Sequence, residues 1–163
     1  MALEGFNMLT KLNLPVAPLK LINSRGQLKV HCIIRNSSVV LTPEEWVRQH
    51  VLNYLITHAG YPKGSIAVEY SLKYNGRQKR CDILVTDFQG APFCIVECKA
   101  PEVSLNDTTF HQIAAYDFTL QAKILVVSNG LNHFSMLKTG VNDELTMDQK
   151  ILSWEELLTL FPT

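Results

Sequence analysis

The chain has no excess of either charge, since 15 lysines and arginines balance 15 aspartates and glutamates. It has no apolar run long enough to span a bilayer and no N-terminal signal-peptide pattern, so we expect a cytoplasmic protein without a membrane partner. The four cysteines contain no C-x-x-C pair. They favour buried free thiols in a reducing compartment, with a zinc site as the lesser alternative.

The chain also lacks the patterns of several protein classes: an internal repeat, a glycine-rich phosphate-binding loop and a nucleophile–histidine–acid set. We therefore interpret His111 and His133 as surface or partly packed residues. With 163 residues, 47% of them hydrophobic, we predict one domain over residues 1–163. Its predicted parts are an extended arm (1–18), an N-terminal β-hairpin (19–41), a core (42–140) and a C-terminal extension (141–163).

Charge is unevenly distributed along this neutral chain. Residues 1–81 hold 11 basic and 4 acidic residues, whereas residues 82–163 hold 4 basic and 11 acidic residues. The basic residues that cluster around one predicted hairpin are Lys73, Arg77, Lys79 and Arg80. Such a cluster suits contact with nucleic-acid phosphates, and a solvated hairpin surface is the alternative.

A helix is predicted to begin directly after Thr42. Thr42 is a good N-cap, Pro43 suits the first helical position, and Glu45 at the third position completes a capping box. Apolar residues then recur at helical spacing until the chain reaches Gly60. The capping box explains Glu45 without any catalytic role, so both interpretations of this residue stay open.

Three strands joined by two glycine-containing turns are predicted next. They cover residues 66–72, 80–86 and 92–99, with turns at Asn75-Gly76 and Gln89-Gly90. If both turns are two-residue loops, Glu69 lies opposite Asp82, and Asp82 lies opposite Glu97. The pattern therefore predicts a row of three carboxylates across an antiparallel sheet, in which Glu69 is alternatively an exposed edge charge.

A row of like charges needs a counter-charge, because directly opposed carboxylates destabilise a sheet. Oxygen ligands of this kind suit Mg²⁺ or Mn²⁺. The two-residue period of a strand places Lys99 on the same face as Glu97 and turns Cys98 to the other face. A slip of one residue in either hairpin would turn a carboxylate away from this row.

A second helix is predicted from a cap at Asn106 or Asp107 to about Leu120, followed by a buried strand over residues 123–128. Gln112 and Tyr116 are one helical turn apart and share a face of this helix. The element order is thus helix, three-strand meander, helix and strand. A strand near residues 133–137 and a short closing helix over residues 154–160 complete the prediction.

Four segments carry a family resemblance: TPEEWVRQ (42–49), KRCD (79–82), IVECKA (95–100) and SNG (128–130). Together with the Gln-x-x-x-Tyr pattern, they resemble the PD-(D/E)xK nuclease superfamily and, more specifically, the N-terminal nuclease domain of the restriction subunit of type I restriction enzymes. The resemblance covers about residues 12–140. It implies an α/β (α+β), restriction-endonuclease-like mixed β-sheet flanked by helices, here with an extra N-terminal β-hairpin.

The resemblance also implies a metal site. Asp82 and Glu97 would hold Mg²⁺, with Mn²⁺ as a substitute, and the backbone carbonyl of Cys98 would supply a further oxygen. Glu45 would be the helix carboxylate that reaches the metal, and Glu69 is a candidate additional ligand.

The same resemblance assigns roles to the polar side chains around that site. Lys99 would orient or activate the attacking water and offset phosphate charge. Gln112 and Tyr116 would lie beside the active site, where they contact substrate or position Lys99.

Two functions remain open from the sequence: a metal-dependent DNA endonuclease, or a non-catalytic nucleic-acid-binding or structural module that keeps the nuclease fold. DNA is the expected partner. A motor or specificity subunit on another chain is a further candidate partner, because the restriction subunit continues into a DNA-translocating motor. A second copy of this chain is the other candidate.

Overall fold

The computed structural model describes residues 9–139 and 144–162, apart from the side chains of residues 115, 116, 118, 144 and 145. These ranges form a three-stranded antiparallel sheet, a six-stranded mixed sheet and flanking helices, which is the predicted mixed α+β architecture. No helix within them is long and apolar enough to cross a membrane.

The smaller sheet has the strand order β1-β2-β3 and precedes the first helix. Its strands are β1 (Leu21–Ser24), β2 (Gln27–Cys32) and β3 (Ser37–Val40). The predicted hairpin is therefore present, and a third strand extends it. Cys32 of β2 belongs to the same apolar core as the larger sheet.

The larger sheet has the strand order β4-β5-β6-β7-β8-β9. The strands are β4 (Ile66–Tyr74), β5 (Arg77–Thr86), β6 (Pro92–Cys98), β7 (Ile124–Ser128), β8 (His133–Thr139) and β9 (Glu144–Asp148). The helices are α1 (Pro43–Thr57), α2 (Asp107–Leu120) and α3 (Trp154–Leu160), with a short 3-10 helix at Lys63–Ser65. Edge strand β9 was not predicted, although its sequence ELTMD alternates polar and apolar residues as a strand does.

One pair of strands in this sheet is parallel, and it sets the position of the candidate site. Strands β6 and β7 run parallel, whereas the other neighbours run antiparallel. A parallel pair needs a crossover connection, and α2 provides it. At the carboxyl ends of the pair, Cys98 lies opposite Ser128, and the Lys99 amide donates to the Ser128 carbonyl at 2.9 Å.

Two apolar cores cover the two faces of the large sheet. The α1-side core contains Val47 and Val51 of α1 together with Val96 of β6. The α2-side core contains Ile113 of α2 and Ile95 of β6. The candidate site residues lie at the carboxyl end of β6, between these two cores.

The predicted registers of the meander are confirmed on the ladders that the structure contains. Strands β4 and β5 pair Tyr74 with Arg77, as a two-residue Asn-Gly turn requires. Strands β5 and β6 pair Ile83 with Val96, which is the predicted alignment. The second turn itself is not the predicted two-residue loop, because Thr86 pairs with Pro92 at an irregularity in the ladder.

Both strands of the first hairpin change face at Glu69 and Asp82, and simple alternation does not predict this change. Val68 packs in the α1-side core, whereas Leu72, which strict alternation would put on the same face, packs in the α2-side core. On the facing strand, Ile83 packs in the α1-side core, whereas Cys81, two residues away, packs in the α2-side core. The pairing register is the same before and after this point, because the two strands are irregular at the same place along the hairpin. At that place Glu69 adopts a left-handed φ of 49°.

The Ser-Asn-Gly segment after β7 anchors the N-terminal arm. Gly130 has a φ of 81°, and a Cβ added there would lie 2.7 Å from the Leu12 side chain. Its carbonyl accepts a hydrogen bond from the Asn13 amide at 2.7 Å. Ser128 Oγ pairs with His133 Nδ1 at 2.8 Å, and His133 Nε2 pairs with the Asn13 carbonyl at 3.1 Å. His133 is therefore a partly packed structural residue, as predicted.

All four cysteines are free and buried, as predicted. Burial raises the pKa of the Cys94 thiol to about 12, and burial together with Glu97 and Asp82 raises the pKa of the Cys81 thiol to about 12. These thiols therefore remain protonated at neutral pH.

Candidate active site

The first turn of α1 presents two adjacent carboxylates toward the sheet. The Thr42 side chain caps the helix by accepting a hydrogen bond from the Glu45 amide at 3.0 Å. The Glu45 carboxylate, however, accepts from Arg48 Nη1 at 2.5 Å and from Gln49 Nε2 at 2.7 Å. The predicted capping box is therefore only half formed, and the Glu45 side chain belongs to a buried polar network.

Arg48 is the centre of this network, a role that no sequence pattern predicted. Its Nη1 contacts Glu45 and Glu69 at 2.5 and 3.4 Å, and its Nη2 contacts Glu44 and Asp82 at 3.1 and 2.6 Å. Only 5% of the Arg48 side chain is exposed. One buried guanidinium thus contacts four carboxylates and offsets part of their mutual repulsion.

Asp82 connects α1 with the end of β6. One carboxylate oxygen accepts from Arg48 Nη2, and the other accepts from the Cys98 backbone amide at 2.7 Å. Asp82 is 8% exposed. The Cys98 side chain is buried in the α1-side core, opposite to the face of Glu97, as the strand period predicts.

Glu97, Lys99 and Gln112 form a second polar group on the α2 side of the sheet. Lys99 Nζ donates to Glu97 Oε1 at 3.2 Å and to Gln112 Oε1 at 2.9 Å. Gln112 Nε2 donates to the same Glu97 oxygen at 2.6 Å. The amide of Gln112 therefore bridges the carboxylate and the ammonium and holds both in place.

The remaining oxygen of Glu97 and Nε of Arg48 are the two buried polar atoms of the described site without a hydrogen-bond partner. Glu97 is 3% exposed, and its Oε2 is buried without a hydrogen-bond partner among the described residues. Burial and the nearby charge of Asp82 raise the pKa of Glu97 to about 8, although Lys99 acts in the opposite direction. Such a carboxyl group is a natural acceptor for a cation or a proton.

Glu44 is electrostatically part of the same site. Burial and the charge of Asp82 raise its pKa, whereas Arg48 and Lys99 lower it. Glu44 was not predicted as a site residue. The available signal was its i, i+4 spacing to Arg48, which places both side chains on one face of the helix.

Glu69 has a different environment from the one expected of an additional metal ligand. Its carboxylate pairs with Arg35 from the turn between β2 and β3, with Arg48 and, at 3.2 Å, with Arg80. These three arginines tie the small sheet, α1 and β5 together. The irregular backbone at Glu69 turns its side chain into this arginine group.

The four basic residues of the β4–β5 hairpin lie in exposed positions but do not form one patch. Strand alternation places Arg77 and Lys79 on the same face as Cys81, which is the α2 side. Lys73 and Arg80 lie on the opposite face. Tyr116 is on α2, one turn after Gln112, but its side chain lies outside the described part of the structure.

The described side chains suit a cation chemically, although they do not form a ready-made cage. Among them, no three histidine, cysteine, aspartate or glutamate residues are grouped as metal ligands. Asp82 and Glu97 nevertheless combine hard oxygen donors, mutual repulsion and a buried oxygen without a partner, which fits a divalent cation. Arg48 already compensates the Asp82 half of this pair.

Comparison with known proteins defines the class to which this fold belongs. The chain is similar to the solved structure of a fragment assigned to the HsdR subunit of a type I restriction enzyme from Vibrio vulnificus, with a TM-score of 0.57 and 20% identity. The match covers 73% of this chain and 25% of that chain, so this chain spans about a quarter of that structure. The shared architecture is the mixed sheet with flanking helices.

Residues 43–149 match the family model of the type I restriction enzyme R protein N terminus (HSDR_N), and the chain belongs to this family. The matched range contains every candidate site residue described above. No protein of curated function matches the chain.

Proposed function

We propose that this domain is a Mg²⁺-dependent DNA endonuclease of the PD-(D/E)xK type, which hydrolyses phosphodiester bonds. The observation that carries the proposal is the group formed by Glu97, Lys99 and Gln112 next to Asp82. A hydrolase acting on phosphate needs carboxylates for a hard cation and a fixed ammonium nearby, and this group offers both.

Asp82 and Glu97 would hold the cation, and the Cys98 backbone carbonyl would supply a further oxygen. When bound, the cation would activate water and stabilise the negative charge that develops on the phosphate. Mn²⁺ would substitute for Mg²⁺, because both ions accept the same oxygen ligands.

Lys99 and Gln112 would contact the reacting groups or hold them in position. The ammonium of Lys99 has three donors, of which the contacts to Glu97 and Gln112 use two. A third donor can therefore orient the attacking water or a phosphate oxygen. Gln112 would keep this ammonium beside Glu97, and Tyr116 would contact substrate from the same helix.

DNA and other subunits are proposed partners by extension from the family. We propose a motor or specificity subunit supplied by another chain as a partner, by extension from the type I restriction R protein family to which this domain belongs. A homodimer is the other assembly that we propose for testing.

Arg48 supports a second candidate, a nucleic-acid-binding or structural module without cleavage. Its guanidinium already satisfies Asp82 and Glu45 and supplies a positive charge at this position. An enzyme would have to exchange part of this internal pairing for a metal ion.

Nicking of supercoiled plasmid in Mg²⁺, with EDTA as the control, separates the two candidates. We expect the wild-type protein to nick the plasmid in Mg²⁺ but not in EDTA. We expect Asp82→Asn to nick it in neither condition. Melting with Mn²⁺ gives an independent measurement, since ligand binding at ten times Kd stabilises the native state by about 1.4 kcal/mol. An equal rise in melting temperature for wild type and Asp82→Asn would reject this metal site.

A further inference from the structure

The two ends of the Arg48 guanidinium divide four carboxylates into two pairs. Nη2 bridges Glu44 and Asp82, at 3.1 and 2.6 Å, and Nη1 bridges Glu45 and Glu69, at 2.5 and 3.4 Å. A positively charged nitrogen between two carboxylates occupies the position that a cation would favour. Only the Nη2 pair contains Asp82, the aspartate of the proposed metal site.

We propose that Arg48 Nη2 marks a divalent-cation position between Glu44 and Asp82, and that Glu44, not Glu45, is the metal ligand contributed by α1. This inference rests on the proposed function and names a ligand of the same site. The cation would take the position of Nη2, and the rigid guanidinium would turn so that Nη1 keeps its contacts with Glu45 and Glu69. Arg48 could therefore withdraw from the metal position without leaving its buried network.

The two neighbouring glutamates differ in how strongly they are already engaged. The Glu45 side chain is 8% exposed, and each of its oxygens accepts a hydrogen bond, one from Arg48 and one from Gln49. The Glu44 side chain is 44% exposed, and its described hydrogen bond is to Arg48 through one oxygen. Glu44 can thus exchange its partner at lower cost than Glu45 can.

The surroundings of Glu44 also connect it with the other half of the site. The charges that act on Glu44 include Asp82 and Lys99, and Glu44 in turn acts on Glu97. Glu97 is 3% exposed and has a buried oxygen without a partner in the described structure. A cation held by Glu44 and Asp82 would supply the positive charge that this oxygen lacks.

The test is calorimetric titration of the apo protein with Mn²⁺, comparing Glu44→Gln with Glu45→Gln. The two variants form a matched pair, because each removes one negative charge from adjacent positions of the same helix. We expect Glu44→Gln to weaken Mn²⁺ binding at least tenfold and to melt within a few degrees of wild type in EDTA. We expect Glu45→Gln to weaken binding less than threefold and to lower the melting temperature in EDTA.

Three results would overturn the inference. Wild-type affinity in Glu44→Gln would remove Glu44 from the ligands, and equal losses in both variants would indicate only a general effect of charge. A tenfold loss confined to Glu45→Gln would make Glu45 the ligand.

Asp82→Asn makes the failure of the ligand assignment distinguishable from failure of the proposed metal site. If wild type binds Mn²⁺ and Asp82→Asn does not, the metal site stands whatever Glu44→Gln shows. If wild type and all three variants fail to bind Mn²⁺, both proposals are rejected.

Discussion

The two halves of the candidate site compensate their carboxylates in different ways. On the α1 side, Asp82 is bound by the Arg48 guanidinium and the Cys98 amide. On the α2 side, Glu97 shares one oxygen with Lys99 and Gln112, while its other oxygen is buried without a partner in the described structure. The carboxylates of the α1 half are stabilised by internal charge pairing, whereas the α2 half keeps a carboxylate oxygen that is suited to a ligand.

This difference separates structural from chemical roles among residues of similar type. Arg48 and Lys99 are both cations paired with acidic residues near the carboxyl end of β6. Arg48 is 5% exposed and holds four carboxylates, whereas the Lys99 side chain is 20% exposed and pairs with one carboxylate. We therefore expect replacement of Arg48 to affect stability first and replacement of Lys99 to affect cleavage first.

The largest effect is expected for Lys99→Ala. Cleavage should fall by roughly 10²–10⁴-fold, the usual contribution of a positioned proton-transfer group, while melting and Mn²⁺ affinity stay close to wild type. Plasmid nicking rates and Mn²⁺ titration measure the two properties separately. Lys123→Ala is the control, because it removes an exposed lysine from the other end of the α2 crossover. Wild-type cleavage by Lys99→Ala would remove Lys99 from the active site.

The next largest effect concerns stability and is expected for Arg48→Met. Loss of the guanidinium leaves buried carboxylates unpaired, so the free energy of unfolding in EDTA should fall by roughly 3–5 kcal/mol. Mn²⁺ should restore more stability to this variant than to wild type, because the cation replaces part of the lost charge. Urea denaturation with and without Mn²⁺ measures both effects.

Arg80→Met provides the matched comparison for Arg48→Met. Arg80 pairs with Glu69, but its side chain is 61% exposed, so the expected loss is about 0–1 kcal/mol. Equal losses in the two variants would contradict the central role that the contacts assign to Arg48.

A smaller effect, on the pH dependence of the free energy of unfolding, is expected from Glu97. Its pKa in the native state is raised to about 8 from an ordinary value of 4.5. Between these values the native state binds a proton that the unfolded state has released, so stability without metal should fall as pH rises from about 5 to about 8. The slope due to this group approaches at most about 1.4 kcal/mol per pH unit.

Glu97→Gln should remove this component of the pH dependence, because an amide does not titrate. Denaturation at several pH values in EDTA measures the slope for wild type and variant. Identical slopes would show that Glu97 does not titrate in this range. In Mn²⁺ the wild-type decline should be weaker, since the cation binds the deprotonated carboxylate.

The smallest effect is expected on DNA affinity and tests the two faces of the β4–β5 hairpin. Arg77 and Lys79 lie on the α2 side, toward Glu97, so replacing both with alanine should reduce the slope of log K against log salt by about two if each contacts one phosphate. The variant Lys73→Ala/Arg80→Ala should reduce it less. Fluorescence anisotropy across a salt series in Ca²⁺ measures the slopes. Unchanged slopes in both variants would make this hairpin a solvated surface.

Local sequence signals predicted most of the helices, strands and turns around the site. The Thr42 cap, the Asn-Gly turn and the Asn106 cap each depend on residues within one turn of one another, so they can be recognised without the tertiary structure. The alignment of β5 with β6 was also predicted, although the turn between them differs. Edge strand β9 was missed although its sequence ELTMD alternates polar and apolar residues, because so short a pattern with two apolar residues does not separate a strand from a loop.

Tertiary contacts decided how the predicted residues face one another. Sequence pattern placed Asp82, Glu97 and Lys99 on neighbouring strands and Gln112 on the following helix. It could not show that the hairpin changes face at Glu69 or that Arg48 reaches Asp82 from α1. Those features depend on packing between elements distant in sequence.

The sequence by itself indicated the family, the main elements and the candidate residues Asp82, Glu97, Lys99 and Gln112, because caps, turns and strand periods are short-range properties. The tertiary structure alone decided which carboxylates of the site are paired with Arg48 and that Glu97 retains a buried oxygen without a partner among the described residues. Charge compensation at this site depends on side chains from α1, β5, β6 and α2 meeting in one place, and no single segment encodes that meeting.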